Sequence, residues 1–268
     1  MRIYPPLVPF RFVYIKNDVN LRFTCPASKT DHFDLKLHMC RIHMKRIELY
    51  PSILNELEQR LSNSVIAKYY IHNQYVRVFS VEASLTEKRI PNILLNNYLP
   101  SYMIICFLET KDLKGHRQAS NFNFQHFGIT NLHLQSGAEI YPVSGPFTPD
   151  FKTDENDSEF KREFSSIYGN VPAGLGLKTD SGSWLKLDDF MRGFAFFKIA
   201  FNRLGDTYMS HGSYLDQRKH VSSVDLNIQF KTALVEPISA VIFTSYLEFF
   251  TISKTESSLR DVQLGYSL

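Results

Sequence analysis

The chain has 268 residues, 44% of them hydrophobic, and its 22 Phe and 14 Tyr contrast with a single Trp. This length fits one large β domain or two small ones, and the aromatic content favours strands. The formal net charge of +3 is close to neutral, so bulk electrostatics give no indication of nucleic-acid binding.

The cysteines and the N-terminus indicate an intracellular location that is not secretory. Cys25, Cys40 and Cys106 are odd in number and lack metal-ligand spacing, which predicts reduced thiols. The opening residues MRIYPP lack the apolar segment of a signal peptide. No apolar stretch approaches the roughly 20 residues of a membrane helix, so we expect no membrane span.

Two N-terminal segments have the alternation of strands. Residues 8–15 (VPFRFVYI) place apolar side chains at alternate positions and predict a strand that residues 21–23 could pair with. Residues 33–49 alternate over an unusual length, and their apolar face switches near residues 40–42. Such a switch is expected at a bulge or where a strand passes between sheets.

The next segment, residues 51–63, is predicted to be a short helix inserted between strands. Apolar residues recur there at helical spacing: Ile53, Leu54, Leu57 and Leu61. The predicted helix covers residues 52–62, with Ser52 as a candidate N-cap.

Residues 68–83 return to alternation and predict a strand in which either face could be buried. The segment carries the residue types that bind single-stranded nucleic acid by stacking: Lys68, Tyr69, Tyr70, Tyr75 and Arg77. Aromatic strands of a sandwich usually face the partner sheet, however, and the net charge is close to neutral. Packing is therefore the favoured interpretation.

The middle of the chain contains the clearest strand signals. Residues 103–108 (MIICFL) form an uninterrupted apolar run, which predicts a strand buried on both faces. Residues 129–134 alternate and are followed by a turn at Ser136-Gly137. Between them, the aromatic residues of NFNFQHF (121–127) accompany no constellation of acid, base and nucleophile, so they are expected to serve packing.

Residues 141–189 are rich in Pro, Gly, Ser and acidic residues and predict a long loop region, typical of a functional surface or a mobile excursion. Strands resume over residues 193–201, 224–230 and 240–252, and residues 253–268 read as a polar tail. The total is about eight strands with one short helix in a single domain over residues 1–252. Two facing antiparallel sheets, as in a jelly roll, would account for this inventory. Periodicity alone does not distinguish a jelly roll from another β-sandwich.

The candidate metal and phosphate sites all have simpler explanations. On a strand, His38 and Cys40 point to one face and His43 to the other, so they cannot converge on one ion. Residues 169–179 contain glycines and a Lys-Thr, but Leu175 stands where a P-loop requires Lys. We expect neither a metal nor a bound phosphate.

The acidic candidates are interpreted in the same way. The acidic run at residues 154–159 lacks the Gly and terminal Glu of a calcium loop. Asp188 and Asp189 are adjacent, and adjacent side chains of an extended chain point apart. The sequence therefore predicts no catalytic, cofactor-binding or metal-ligating residue, and a protein that is not an enzyme.

A series of segments in a fixed order resembles a known family. They are LPSYMIICFLE (99–109), NFNFQHFGITNLHL (121–134), PFTPDF (146–151), REFSSIYGN (162–170) and VDLNIQFKTALVEPISAVIFTSYLEF (224–249). Together they resemble the C-terminal jelly-roll half of the major capsid protein of Polinton (Maverick) elements and the related adintoviruses. Residues 120–124 (SNFNF) depart from that family by lacking a proline.

The resemblance implies a jelly roll and a structural role in a virion. Its members carry two jelly rolls and assemble as homotrimeric, pseudo-hexameric capsomers of an icosahedral shell. Such a shell also contains a penton protein and encloses double-stranded DNA without sequence-specific binding. We accordingly expect a capsid protein that, before assembly, is in the nucleus or cytoplasm of the host.

This chain has strands for one jelly roll, which fits a fragment, a split gene or a domesticated remnant. An exposed sandwich flank and association are then expected. The alternative is a non-enzymatic β-sandwich binding module for a carbohydrate or protein ligand. That function would require a concave sheet with exposed aromatic residues or a metal-organising loop.

Overall fold

Pairing between strands that are distant in the sequence defines the architecture of the computed structural model. The structure describes residues 36, 38–41, 43, 48–62, 67–95, 97–114, 122–143, 145–149, 193–201, 221, 223–254 and 260–265. The predicted strands at residues 8–15 and 21–23, and all of residues 150–192, lie outside this described part.

The described residues form one helix, α1 (Pro51–Ser62), and nine strands. The strands are β1 (Ala67–Val81), β2 (Glu87–Ile90), β3 (Tyr102–Glu109), β4 (Ile129–Ser136), β5 (Glu139–Tyr141), β6 (Phe196–Ala200), β7 (Asp225–Phe230), β8 (Ile238–Lys254) and β9 (Arg260–Gly265). The strands predicted near residues 68–83, 103–108, 129–134, 193–201, 224–230 and 240–252 are confirmed.

The strands form two antiparallel sheets with a distinctive order. The first sheet runs β1-β8-β3-β6, with β9 paired to β8, and the second runs β2-β7-β4-β5. The first eight strands thus pair as 1 with 8, 2 with 7, 3 with 6 and 4 with 5, as when the two halves of a chain pair along their length and are rolled up. This order is that of a jelly roll.

The core lies between the inner faces of the two sheets and is rich in aromatic contacts. The Phe107 and Phe197 rings of the first sheet meet edge to face with centroids 6.2 Å apart. Phe147 lies 6.0 Å from Phe197, and Tyr141 lies 5.0 Å from Phe201. Fully burying each large apolar side chain stabilises the fold by about 1.5–3 kcal/mol.

Two short strands of the second sheet were not predicted. β2 has the sequence EKRI and β5 the sequence EIY, and neither contains enough apolar alternation to be recognised alone. Both are defined by their partners: β2 pairs with β7, and β5 pairs with β4 across the predicted turn, where Gly137 has a φ of +58°. A positive φ at this position suits glycine.

The helix was predicted correctly, but its first residues differ from the expectation. The carbonyl of Tyr50 accepts hydrogen bonds from the amides of Ile53 (3.0 Å) and Leu54 (3.1 Å). Tyr50 is therefore the N-cap and Pro51 the first helical residue, a position that proline favours because it lacks an amide hydrogen. Ser52 lies within the helix, so its assignment as the cap was wrong.

The long strand expected over residues 33–49 is not present where the structure describes that segment. The described positions, 36, 38–41, 43 and 48–50, are irregular, and most are exposed. Alternation was misleading here because none of these positions pairs with a neighbouring strand. The expected polar tail at residues 253–268, in contrast, includes the end of β8 and the whole of β9.

The loop that follows β2 is held by a carboxylate on β7 and by an arginine of the first sheet. Asp225 accepts hydrogen bonds from Arg89 (Nε 3.0 Å and Nη2 2.6 Å), from the Asn92 amide (3.0 Å) and from the Ser223 hydroxyl (3.4 Å). From the first sheet, Arg77 donates to the Asn92 carbonyl at 3.0 Å. The loop is thus fixed to β1, β2 and β7 together.

Replacing Asp225 by Asn should destabilise the protein by about 1–3 kcal/mol at pH 7, because the buried Asp225 side chain would lose the charge that strengthens its hydrogen bonds from Arg89 and the Asn92 amide. Burial raises the pKa of Asp225, but the hydrogen bonds from Asn92 and Arg89 outweigh it and leave the pKa below its usual value. This stabilisation is therefore present at neutral pH and is lost as the pH falls through the lowered pKa. Urea unfolding at several pH values should show the two proteins converging in acid. A Glu87→Gln variant, altered at an exposed carboxylate of β2, is the control, and an equal loss in both variants would contradict the account.

Candidate interaction surface on the first sheet

The outward-facing side of the first sheet, here called the outer face, is apolar. Cross-strand register places its side chains in two adjacent rows. The first row is Val78, Val241, Cys106 and Phe196, and the second is Val76, Phe243, Ile104 and Lys198. Seven of these eight residues are apolar, so β3 has apolar side chains on both faces, as its sequence predicted.

The middle of the outer face is covered by residues 123–125. Their backbone lies between β3 and the chain entering β6: Gln125 donates to the Phe107 carbonyl (2.9 Å), and Phe124 donates to the Gly193 carbonyl (2.8 Å). The Phe124 ring then packs on Cys106 and its neighbours, which are buried. Burial raises the pKa of the free Cys106 thiol, so it is an unreactive core residue.

Four phenylalanines form a continuous cluster at the β6 margin of the outer face, here called the phenylalanine cluster. The ring centroids are 6.3 Å apart for Phe122 and Phe124, 5.3 Å for Phe124 and Phe196, and 6.4 Å for Phe194 and Phe196. The expected packing role of residues 121–127 is thus confirmed for Phe124. Phe122 is different, because most of its surface is in contact with solvent.

The apolar outer face is exposed at its two margins. At the β1 margin, Val76 and Val78 are 54% and 44% exposed, and we call them the valine pair. At the β6 margin, Phe122 and Phe194 are 63% and 45% exposed. Large apolar side chains that are grouped and exposed are typical of protein interaction sites.

One cation, Lys198, lies within this apolar surface. Its side chain is buried, and its Nζ lies 5.8 Å from the centroid of the Tyr102 ring. Burial lowers the pKa of Lys198 to about 8, because the charged form loses hydration. The ammonium therefore loses a large part of its charge just above neutral pH.

The outer face of the second sheet has the opposite character. Arg89, Asn227 and His133 form one cross-strand row, and Gln229 is an exposed neighbour on β7. His133 Nδ1 lies 2.9 Å from Asn131 Oδ1, and burial lowers the pKa of His133. Ile140 of β5 is 45% exposed on the same side as Gln135, but the described row is otherwise polar. The described parts of the two outer faces therefore differ in polarity.

The structure also places several residues that the sequence raised as site candidates. His38, Cys40 and His43 are exposed, and no metal-ligating cluster occurs among the described residues. Of the basic and aromatic residues considered for nucleic-acid stacking, Tyr75 and Arg77 are half-buried, and Arg77 lies over the Phe79 ring at 4.9 Å. Stacking by these two residues is therefore disfavoured.

The candidates at residues 154–159, 169–179 and 188–189 are outside the described residues. The described helix, α1, is neither long nor apolar enough to cross a membrane.

No protein-family model and no curated protein matches the sequence. Among solved structures, the PBCV-1 virus capsid aligns with 10% identity and a TM-score of 0.44, over 79% of this chain and 54% of that chain. The mavirus major capsid protein aligns with 9% identity and a TM-score of 0.36, over 74% and 41% of the two chains. The Sputnik virophage structure aligns with 14% identity and a TM-score of 0.36, over 75% of this chain and 39% of that chain. This chain thus spans about half or less of each, and the jelly-roll assignment rests on its own strand order.

Replacing Gly193 by Ala should destabilise the covering segment by about 1–3 kcal/mol, the usual cost of overpacking. A Cβ there would lie 2.5 Å from Asn123 Oδ1, and Gly193 has a φ of +150°. Gly145→Ala is the matched control, because Gly145 also has a positive φ (+109°) but a Cβ would meet nothing within 4 Å. Urea unfolding should show a larger loss for Gly193→Ala, and equal losses would contradict the proposed contact.

Lys198 should make the stability of the protein increase in alkali. Because its folded pKa of about 8 is below the ordinary 10.5, the unfolded chain binds more protons between these values. The free energy of unfolding should therefore rise from about pH 8 towards pH 9. Above pH 9.0 the Cys106 thiol ionises in the unfolded chain but stays protonated in the folded core, which opposes the rise. Lys198→Met should abolish the rise, whereas Lys114→Met, at an exposed site, should retain it. A rise that persists in Lys198→Met would show that another group is responsible.

Proposed function

We propose that this chain is a structural subunit of a viral or virus-derived shell, and that it assembles through contacts of its jelly roll. The observation that carries the proposal is the difference between the two outer faces of the sandwich. An apolar face exposed at both margins, opposite a polar face, is expected of a domain that is covered on one side and solvated on the other. The sequence resemblance to Polinton-type capsid proteins supports the same function.

The chemistry of the outer face fits an interface. Burying apolar surface contributes about 25 cal/mol per Å², and interface centres are enriched in aromatic side chains. The phenylalanine cluster and the valine pair provide such groups. No catalytic step and no cofactor are part of the proposal, because shell assembly depends on buried area.

The finer features of the proposal come from the sequence resemblance. They are a homotrimeric, pseudo-hexameric capsomer, an icosahedral shell with a penton protein, enclosed double-stranded DNA and a location in the virion capsid. A trimer with six-fold pseudosymmetry needs two jelly rolls per protomer, and the described residues form the strands of one. A second domain or a second copy would therefore complete the ring.

A ligand-binding sandwich is the competing function. It would be favoured by a concave sheet with convergent polar groups, whereas the outer face of the first sheet presents exposed apolar side chains at two margins. The apolar flank therefore supports the structural function.

Sedimentation velocity of the purified chain should reveal discrete species larger than the 31.1 kDa monomer, with negative-stain images showing rings or shells. Because the proposed contact is apolar, these species should persist when NaCl is raised from about 0.1 M to 1 M, where ionic contacts are screened. A monomer at high concentration in both salts would exclude self-assembly and favour a ligand-binding or domesticated sandwich.

A further inference from the structure

We propose that the turn at residues 126–128 is an acid-sensitive hinge, in which protonation of His126 releases residues 123–125 from the outer face of the first sheet. Residues 123–125 are called the covering segment below. The hinge does not depend on the proposed function, because it follows from contacts within a single copy of the chain. Its consequence is that the accessible apolar surface of the outer face increases in acid.

The first observation is the hydrogen bond that fixes the His126 ring. The Gly128 amide donates to His126 Nδ1 at 3.0 Å. A main-chain amide is only a donor, so Nδ1 must be the acceptor, and in the neutral ring the proton is on Nε2. A protonated histidine carries hydrogen on both ring nitrogens, so the cation would place one N–H group against another. The turn therefore requires the neutral form of His126.

The second observation is that the backbone of this turn needs support. Phe127 and Gly128 have φ values of +46° and +64°. The left-handed conformation is rare for a residue with a side chain as large as Phe, and it persists only when the surroundings fix it. The supporting bonds are those to the His126 ring, from the Ile129 amide to the His126 carbonyl (3.0 Å) and from the Lys231 amide to the Gly128 carbonyl (2.8 Å). Loss of the ring acceptor removes one of these three supports.

The third observation is that the turn connects the covering segment to the second sheet. On one side, the amide of Gln125, the neighbour of His126, donates to the Phe107 carbonyl of β3 at 2.9 Å. On the other side, β4 begins directly after the turn. The Phe124 ring of the covering segment packs in the cluster that contains the buried Cys106. Opening of the turn therefore loosens the segment that covers Cys106.

The direction of the pH effect follows from the burial of the ring. Burial lowers the pKa of His126 below its ordinary value of 6.5, and no described charge is among the causes. In the open form the ring is hydrated, so the open form binds more protons than the closed form in mild acid. Opening is therefore favoured as the pH falls.

The neighbouring elements carry three further titratable side chains in the described part of the chain. Lys231, after β7, is exposed beside the turn, and an exposed lysine is charged throughout mild acid. Lys198 of β6, with a pKa of about 8, is already mostly charged at about pH 7.5. Asp112 is buried in the turn after β3, next to Leu113, which packs against the cluster of Phe124. Asp112 is thus the group whose contribution must be separated from that of His126.

The thiol of Cys106 reports the opening of the covering segment. In a full-length Cys25→Ser/Cys40→Ser background, Cys106 is the only cysteine, and its reaction with dithiodipyridine is followed by absorbance at about pH 7.5 and about pH 5. Each rate is divided by the rate of the same chain unfolded in urea at the same pH, which removes the pH dependence of the reagent and the thiol. Circular dichroism at both pH values shows whether the sheets persist.

The expected result is a normalised rate that is roughly tenfold higher in acid, with the sheet signal retained. The increase cannot exceed about thirtyfold, because a histidine with the ordinary pKa of 6.5 in the open form favours opening by no more than that factor over this interval.

The decisive variant is His126→Asn. The Asn side-chain oxygen can accept from the amide two residues later, as in an Asx turn, but it does not titrate. This variant should keep the low rate at about pH 7.5 and lose the increase in acid. His126→Ser, which can form the similar turn through its hydroxyl group, provides a second test if the Asn variant misfolds. His133→Asn, at the other histidine whose pKa is lowered by burial, and Asp112→Asn are the controls, and both should retain the increase.

Three outcomes would overturn the inference. An acid increase that persists in His126→Asn and His126→Ser would show that another group is responsible, and its loss in Asp112→Asn would assign it to that carboxylate. A parent protein with no increase would show that protonation does not open the covering segment. Loss of the sheet signal together with the increase would indicate global unfolding instead of a local hinge.

Discussion

The pairing of β8 with both β1 and β3 is the interaction on which the rest of the structure depends. Ala240 of β8 lies directly between Phe79 of β1 and Phe107 of β3. All three side chains face the core, and the small methyl group of Ala240 leaves room for both rings. Because β8 is distant in the sequence from both β1 and β3, this register joins early and late segments of the described chain and fixes the positions of the remaining strands.

Strong local sequence patterns predicted the strands whose burial does not depend on the details of side-chain packing. The apolar run in β3 and the alternation of β1 identified buried strands because hydrophobic periodicity directly reflects burial. Short strands escaped prediction since β2 and β5 are strands only by virtue of their partners. The described positions between residues 36 and 49 show the reverse error, because they alternate in sequence but do not pair with a described strand.

The candidate surface was less predictable than the fold. The sequence showed that both sets of alternate residues in β3 are apolar. Which of the two sets faces outward depends on the packing of the second sheet. The aromatic residues around Phe122 looked equivalent in sequence, yet tertiary contacts bury Phe124 and expose Phe122. Lys198 likewise resembles an ordinary polar residue of a strand, and its burial follows from cross-strand neighbours that are distant in sequence. The sequence led us to expect an exposed flank but did not identify its residues. The margins of the outer face are exposed surfaces of this type.

The difference between the two outer faces connects the fold to the proposed function. Part of the outer face is buried within the chain by Phe124, but Val76, Val78, Phe122 and Phe194 are exposed, and their exposed surface does not contribute to the core. They have a physical role if another surface covers them. The polar row on the second sheet, with Arg89 bound to Asp225, fits a face that remains in water.

The most direct test of this account is hydrogen–deuterium exchange of the assembled protein compared with the dissociated chain. The account predicts added protection at residues 74–80 of β1 and 194–198 around β6, because these segments carry the exposed apolar margins of the outer face and would be covered in the assembly. Residues 131–135 of β4, in the second sheet, should exchange equally in both states. Protection confined to the second sheet, with β1 and β6 unchanged, would contradict the assignment of the first sheet as the interface.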